Sequence, residues 1–407
     1  MTRPHVIIIN DHAFINGGQA KVAIDTALGL AERGYEVTFF AACGPADERL
    51  PSARVRVVCL DQADLASEPD RLRGMARGLW NGRAASVLSE ELVRHDPRRT
   101  VIHWHGYAKA LSPSIAPVIF GSGIPHLFTM HEYFLACPNG GFFDYQENSI
   151  CTRRALGPAC LMANCDARHP AHKAWRLLRQ AVTHGPAHLP SGLTDVIYIS
   201  ETQRRVMASY FGEHVRLHHV PNPVSIQSGP RVTAENNDAY LFIGRLSREK
   251  GAALFAEAAR TAGVRAIFLG DGPEIDHIKA VNPDAECRGW AGPREVEAAL
   301  SEARCLVFPS LWYECQPLVP QEAAAKGVPT ICGAWSAAAE AVEHAVTGLL
   351  MTDASIDEMA SAIAVVEREA QALSEAAYSR FWKQYSPETY FINIEILYDY
   401  KIRGRAR

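Results

Sequence analysis

The chain has no apolar run near the ~20 residues a membrane-spanning helix needs. It also has no surplus of positive charge. With 41 Lys+Arg against 45 Asp+Glu and a net charge of −4, general nucleic-acid binding is not expected. Cysteine is sparse: ten in 407 residues, with no C-x2-C pair, which excludes the dense disulfide framework of small secreted domains. There is no G-x-G-x-x-G, so a dinucleotide cofactor has little support. Internal repeats and low-complexity segments are missing too. The first apolar run, Val6-Ile-Ile-Ile9, is too short for a signal-peptide core. A cytoplasmic protein with reduced thiols is the expectation.

What is present reads as a globular α/β protein. Hydrophobic residues make up 48% and charged residues 21%, in a length that suits two domains. Val6–Ile9, Val37–Phe40, Val55–Cys59, Thr100–Ile102, His126–Thr129 and Val196–Ile199 are short β-branched or apolar runs. Helical periods lie between several of them, including one over 72–92 and one that stops at Gly34. Ser200 is a candidate helix cap. Alternation of this kind implies a parallel sheet covered on both faces. A stretch rich in Pro, Ser, Gly and Asn, 221–238, reads as a linker. A second series follows at Tyr240–Ile243, Ala266–Leu269, Cys305–Phe308 and Val328–Ile331, then a long helix over 355–376 and an aromatic amphipathic one over 387–402.

The densest signal is Pro309-Ser-Leu-Trp-Tyr-Glu-Cys-Gln-Pro-Leu-Val-Pro-Gln-Glu322. Glu314 follows a buried-looking strand, and Glu322 is expected two turns into a helix that begins near Leu318. A helix start offers unpaired N–H groups and a positive dipole end, which suit phosphate. Carboxylates suit sugar and ribose hydroxyls. Together they describe a nucleotide-sugar pocket.

This run resembles the E-x7-E signature of retaining glycosyltransferases of family GT4, which have the GT-B fold. Gly244-Arg-Leu-Ser-Arg-Glu-Lys250-Gly251 is similar to the family's G-R-L-x-x-x-K-G. Leu269-Gly-Asp-Gly-Pro273, His219-Val-Pro-Asn222 and Asn16-Gly17-Gly18 match in the expected order, so the resemblance covers essentially the whole chain. One departure stands out: Cys315-Gln-Pro317 replaces the usual G-F-G, which removes two glycines near the sugar.

The resemblance implies two Rossmann-like domains facing a central cleft. An acceptor-binding domain is expected over 1–222, with a cysteine-rich insertion at about 134–170. A nucleotide-sugar domain is expected over 223–385, and a C-terminal helix returning to the first domain over 386–407. It implies that Arg245, Lys250 and the amides of Leu318 and Val319 meet the diphosphate, with Gly17 and Gly18 at a phosphate or the acceptor. Glu322 is expected at the ribose, Glu314 at the sugar or its phosphate, and His131 in the active site. With cations and dipoles in place, no catalytic metal is expected. The implied reaction transfers a sugar, with retention, from a nucleoside-diphosphate sugar to a glycan or lipid-linked acceptor, in surface polysaccharide or glycolipid synthesis. A nucleotide-sugar epimerase and a non-catalytic binding scaffold are the alternatives.

Three features lie outside that pattern. His103 and His105 end a strand and read equally as acceptor-facing or as packing. Cys137, Cys151, Cys160 and Cys165 could close a structural zinc site; free buried thiols and a redox pair are the other readings. Between 151 and 180, six cations (Arg153, Arg154, Arg168, Lys173, Arg176 and Arg179) face one acid, Asp166. They read either as a patch for peripheral contact with the inner face of an anionic membrane or as a solvated helix face.

Overall fold

The computed structural model describes residues 3–404 apart from 225, 227 and 385. Two positions of the expected linker and the last three residues of the expected C-terminal segment therefore lie outside the described residues. The chain divides into two compact units. One comprises 1–140, 153–223 and 387–407; the other comprises 141–152 and 224–386. The segment read as an insertion of the first domain is thus shared, with 141–152 grouping with the second unit.

The first unit is built on seven parallel strands: β1 (His5–His12), β2 (Val37–Cys43), β3 (Arg56–Cys59), β4 (Thr100–Trp104), β5 (His126–Thr129) and, further along the chain, β8 (Asp195–Tyr198) and β9 (Arg216–His219). Their order is β3-β2-β1-β4-β5-β8-β9. Val6, Ile7, Ile8 and Ile9 are fully buried, as β-branched residues are in a sheet covered on both faces. The helix Gly18–Glu32 returns the chain from β1 to β2 and ends before Gly34, whose φ of +78° suits glycine. The helix expected over 72–92 is two helices, Arg71–Leu79 and Gly82–Leu92. Asn81 makes the break: its side chain accepts from the Ala84 amide and starts the second helix. Ser200 caps the helix Glu201–Met207 by accepting from Gln203.

The last helix, Pro387–Arg403, packs into this unit. Tyr390 and Thr26 share a hydroxyl contact of 2.7 Å. A Cβ at Gly29 would collide with the Phe391 ring, so glycine there lets the two helices approach. Lys401 reaches Asp195 at the start of β8.

The second unit holds a short antiparallel hairpin, β6 (Phe143–Asp144) and β7 (Ser149–Ile150), and a parallel sheet. The sheet strands are β10 (Ala239–Ile243), β11 (Arg265–Leu269), β12 (Glu286–Cys287), β13 (Ala303–Phe308), β14 (Thr330–Gly333) and β15 (Gly348–Met351), in the order β12-β11-β10-β13-β14-β15. On one face Tyr240, Phe255, Phe268 and Val307 form a core against the helices Ala252–Ala262 and Ile356–Gln384. Both sheets are doubly wound. Strand order reverses between β1 and β4 in the first and between β10 and β13 in the second, the places where ligands bind in open parallel sheets.

Candidate active site

The residues singled out in the second unit gather at its switch point. Arg245 follows β10, and Glu314 lies on the loop after β13. A Cβ at Gly270 would collide with the Gly244 carbonyl, so glycine at the end of β11 lets the Arg245 loop seat itself. Arg245 is 61% exposed, yet its guanidinium is paired with Glu249, which is 2% exposed and also accepts from Ser247 Oγ at 2.8 Å. The Glu249 carbonyl accepts from the Leu311 amide at 2.8 Å and so ties the Arg245 loop to the Glu314 loop.

Lys250 closes a short 3-10 turn, Arg248–Lys250, just before the helix Ala252–Ala262. Its ammonium donates to Glu314 Oε1 at 2.7 Å and lies 5.0 Å above the Trp312 ring. Glu314 also accepts from the Ser310 hydroxyl. It is buried and held at φ +54°, a left-handed conformation uncommon for a residue with a Cβ and often found in functional loops. The helix Leu318–Lys326 begins after Pro317. Leu318 and Val319 are its first residues, where N–H groups lack helical partners. The helix starts where the sequence placed it, but Glu322, four residues on, is one turn in and not two, because a turn takes about 3.6 residues. Glu322 is half-buried. The replacement of G-F-G by Cys315-Gln-Pro317 has therefore kept the helix start. Ser310, Trp312 and Glu249 were not singled out from the sequence, although all three lie inside the two runs that were.

The first unit carries its own cluster. Asn16, Gly17 and Gly18 are exposed where the chain leaves β1, and nothing lies near the place of a Cβ at Gly17. Gln19 donates to Asn10 Oδ1 at 2.8 Å. Asp11, 1% exposed, accepts from the amides of Ala110 (2.8 Å) and Leu111 (2.9 Å). Burial nevertheless raises its pKa above the usual carboxylate value. A small cavity is lined by Gln19, His105, Gly106, His131, Glu132 and Phe134, among others. His131 Nε2 lies 2.9 Å from His105 Nδ1. Glu132 pairs with Lys109 at 2.8 Å. The two histidines left open by the sequence part company. His105 lines the cavity, whereas His103 is fully buried between the Tyr398 hydroxyl and Thr129 Oγ1, each 2.7 Å away.

Burial pushes all of these rings away from protonation. His103 is brought to about 3, with His131 adding to the effect; His131 to about 3, with Lys109 adding; His126 to about 4, with Lys401 adding; and His105 well below its usual value. An unfolded histidine titrates near 6.5, so the stability these neutral rings confer is complete above that pH and is lost as pH falls below it. His103 and His105 are 0% and 1% exposed. Each should cost about 1.4 kcal/mol per pH unit below 6.5. The melting temperature of the first unit should be flat above pH 7 and drop steeply between about pH 6.5 and 4.5. Melting that is insensitive to pH down to 5 would contradict this.

The sequence left three readings open for the cysteines and two for the basic segment. Cys137, Cys160 and Cys165 are buried, and the Lys173 ammonium lies 3.1 Å from Cys165 Sγ and 3.7 Å from Cys160 Sγ. A lysine thus stands among thiols for which a zinc site was one of the open readings, and Cys151 belongs to the segment grouped with the other unit. Among the described residues no group of three or more His, Cys, Asp or Glu side chains is placed to hold a metal ion. The helix Pro170–His184 wears its charges inward. Lys173 meets the thiols, Arg176 pairs with buried Asp166 at 2.9 Å, and Arg179 stacks on Phe134 and donates to the Ala108 carbonyl. Its exposed residues include Ala171, His172, Ala174, Leu178, Ala181 and His184. Three of the six cations of the basic segment are therefore turned inward on this helix, while Arg154 and Arg168, which precede it, are exposed.

The fold is shared with solved glycosyltransferase structures. Sucrose-phosphate synthase from Thermosynechococcus elongatus superposes with a TM-score of 0.73 at 19% identity, covering 99% of this chain and 100% of that one. Anabaena HepE, solved with UDP and glucose, superposes at 0.65 with 16% identity, over 97% of this chain and 98% of that one. The two doubly wound sheets are those of a GT-B glycosyltransferase. Residues 16–228 match the family described as Glycosyltransferase Family 4, and 237–367 match Glycosyl transferases group 1. The chain belongs to Glycosyltransferase Family 4. Among curated relatives, a GDP-mannose-dependent alpha-mannosyltransferase of Corynebacterium glutamicum is 32% identical over 27% of this chain and 26% of its own length. A GDP-mannose-dependent alpha-(1-6)-phosphatidylinositol monomannoside mannosyltransferase of Mycobacterium tuberculosis is 27% identical over 46% of this chain and 57% of its own length. The chain thus spans only about a quarter and just over half of the lengths of these relatives.

Proposed function

We propose that this glycosyltransferase moves a hexose, with retention of configuration, from a nucleoside-diphosphate sugar to a glycan or lipid-linked acceptor in surface polysaccharide or glycolipid synthesis. The observation that carries the reading is the Lys250–Glu314 pair at the switch point of the second sheet, with Arg245 exposed beside it. In this reading Arg245, Lys250 and the Leu318 and Val319 amides take the charge that grows on the departing diphosphate, and no catalytic metal is called for. Glu322 accepts from the ribose hydroxyls and Glu314 from the sugar. His131 donates to a sugar hydroxyl, and Gly17 and Gly18 border the phosphate or acceptor. The leaving phosphate takes the acceptor's proton on the face it departs from, which retains configuration without a carboxylate nucleophile.

Two donor families are worth testing first, because relatives are named for GDP-mannose and HepE was solved with UDP. The enzyme is incubated with radiolabelled GDP-mannose or UDP-glucose, with and without a bacterial lipid extract. Label should pass to the lipid or glycan fraction, and diphosphate release should depend on acceptor. Conversion of the donor sugar without acceptor would favour an epimerase. Tight donor binding without turnover on any acceptor would favour a scaffold.

Peripheral membrane contact forms part of the same reading, on a different basis from charge density. Leu178 is 53% exposed, and Leu72 (78%) and Met75 (45%) stand out from the helix Arg71–Leu79. Trp175 Nε1 donates to the Met75 carbonyl, which joins the two helices into one apolar face near the exposed Arg71 and Arg73. Among the described residues no helix is long and apolar enough to cross a membrane. Phosphatidylglycerol vesicles should retain the protein on sedimentation, and Leu72→Glu with Leu178→Glu should release it. Equal sedimentation of both proteins would contradict the assignment. A structural zinc on Cys137, Cys151, Cys160 and Cys165 would have to displace the Lys173 ammonium; metal analysis of the purified protein, reading one equivalent or none, decides it.

A further inference from the structure

We propose that His105 is a positioning residue that holds His131 in the tautomer carrying its proton on Nδ1. This rests on the reading above that His131 donates to a sugar hydroxyl.

His105 sits just beyond the C-terminal end of β4, 1% exposed, with its amide donating to the Ile9 carbonyl at 2.8 Å. Its Nδ1 lies 2.9 Å from His131 Nε2, and the two rings are within 17° of parallel. Its other nitrogen, Nε2, is buried without a hydrogen-bond partner among the described residues. Behind it, the His103 ring lies with its centroid 4.1 Å away. Both nitrogens of His103 are engaged, by Tyr398 and by Thr129, so the ring backing His105 cannot turn. The order Tyr398, His103, His105, His131 therefore runs from the last helix to the cavity wall.

Burial keeps both members of the His105–His131 pair neutral, so a single proton lies between Nδ1 and Nε2. If His131 supplied it, His105 would carry its own proton on Nε2, a buried N–H with no acceptor. If His105 supplies it, its Nε2 is a bare lone pair. Stranded buried donors are the rarer case in proteins, so the second arrangement is favoured. His131 then bears its proton on Nδ1 and can only donate from that atom. It acts on a sugar hydroxyl or on growing negative charge as a donor, and not as a base.

The test uses the full chain labelled with ¹⁵N-histidine. Two-bond ¹H–¹⁵N correlation separates the two neutral tautomers, and the His131 signals are those lost in His131→Asn. The wild type should show the Nδ1–H pattern for His131. His105→Phe, which keeps a ring but removes the donor, should shift His131 to the Nε2–H form and lower kcat about 100-fold with little change in donor KM. In His105→Asn the amide nitrogen stands the same number of bonds from Cα as the lost Nδ1. It should restore both the Nδ1–H pattern and most of kcat, and it keeps the test open if the phenylalanine variant fails to fold. An Nε2–H pattern for His131 in the wild type, or a pattern unchanged in His105→Phe, overturns the proposal. A tautomer switch with activity indifferent to both His105→Phe and His131→Asn supports the positioning and overturns the placing of His131 at the sugar.

Discussion

Lys250→Ala should lower kcat/KM for the cognate donor by about 10²–10³-fold while the second unit stays folded. The ammonium is asked to do two things. It stands as a cation where diphosphate charge is expected to grow, and it is one of the groups holding Glu314, at 2.7 Å. Glu314 keeps the Ser310 hydroxyl after the substitution, so the carboxylate is not left bare. Lys250 itself is 20% exposed and lies above Trp312, outside the core of that unit, so its loss should move the melting temperature little. Lys250→Arg should recover only part of the activity, because a planar guanidinium cannot occupy the point-charge position of an ammonium beside one carboxylate oxygen. Steady-state kinetics alongside a melting curve reads both effects. Wild-type efficiency in Lys250→Ala would remove Lys250 from the site; a collapse of melting would make it structural.

The second large effect concerns stability. Asp195→Ala should destabilise the first unit by about 3–5 kcal/mol. Asp195 is fully buried and accepts from Arg216 (2.8 and 2.9 Å), His218 (2.8 Å) and Lys401 (2.6 Å). Burial alone would raise its pKa, but the hydrogen bonds from His218, Arg216 and Lys401 outweigh it and hold the carboxylate far below its usual range. Arg216 is 52% exposed and can turn to water; Lys401 is 10% exposed and cannot easily do so. Removing the carboxylate therefore takes the counter-charge from an ammonium that ties the last helix to β8. Because the carboxylate's folded pKa is depressed, its contribution is complete above the unfolded value near 3.9 and is lost as pH falls below it. The loss thus sits at lower pH than the histidine-driven one. Denaturant unfolding of wild type and variant at pH 7 and pH 6, both above the carboxylate's window, checks both points: the same large difference at both is expected, and a difference under 1 kcal/mol at pH 7 would contradict it.

Much of this molecule was legible from its residues, for physical reasons that differ by element. Strands such as Val6–Ile9 and Tyr240–Ile243 are buried on both faces and so read as unbroken apolar runs. Edge strands such as Arg216–His219 and the two-residue Glu286–Cys287 carry no such run, and they were missed. The break at Asn81 was hidden because helical periodicity continues across it. In the second unit, Arg245 and Lys250 stand in one contiguous pattern and Glu314 and Glu322 in another, close in sequence to the strand or helix that carries them. The cavity of the first unit is different: Gln19 opens the helix after β1, His105 and His131 lie just past β4 and β5, and only the strand order β1-β4-β5 brings them together. Charge counting failed on Pro170–His184, because it cannot tell which side of a helix a lysine leaves from. Lys173 and Arg179 go inward, where thiols and carbonyls receive them.

The central claim is that the second unit holds a nucleoside diphosphate on Arg245, Lys250 and Glu322. Titration calorimetry of UDP and of GDP into the wild type, Lys250→Ala and Glu322→Ala tests it most directly. One nucleotide should bind the wild type and bind each variant at least tenfold more weakly, a loss of about 1.4 kcal/mol or more. Binding of neither nucleotide to the wild type, or equal affinity in all three proteins, would contradict the account.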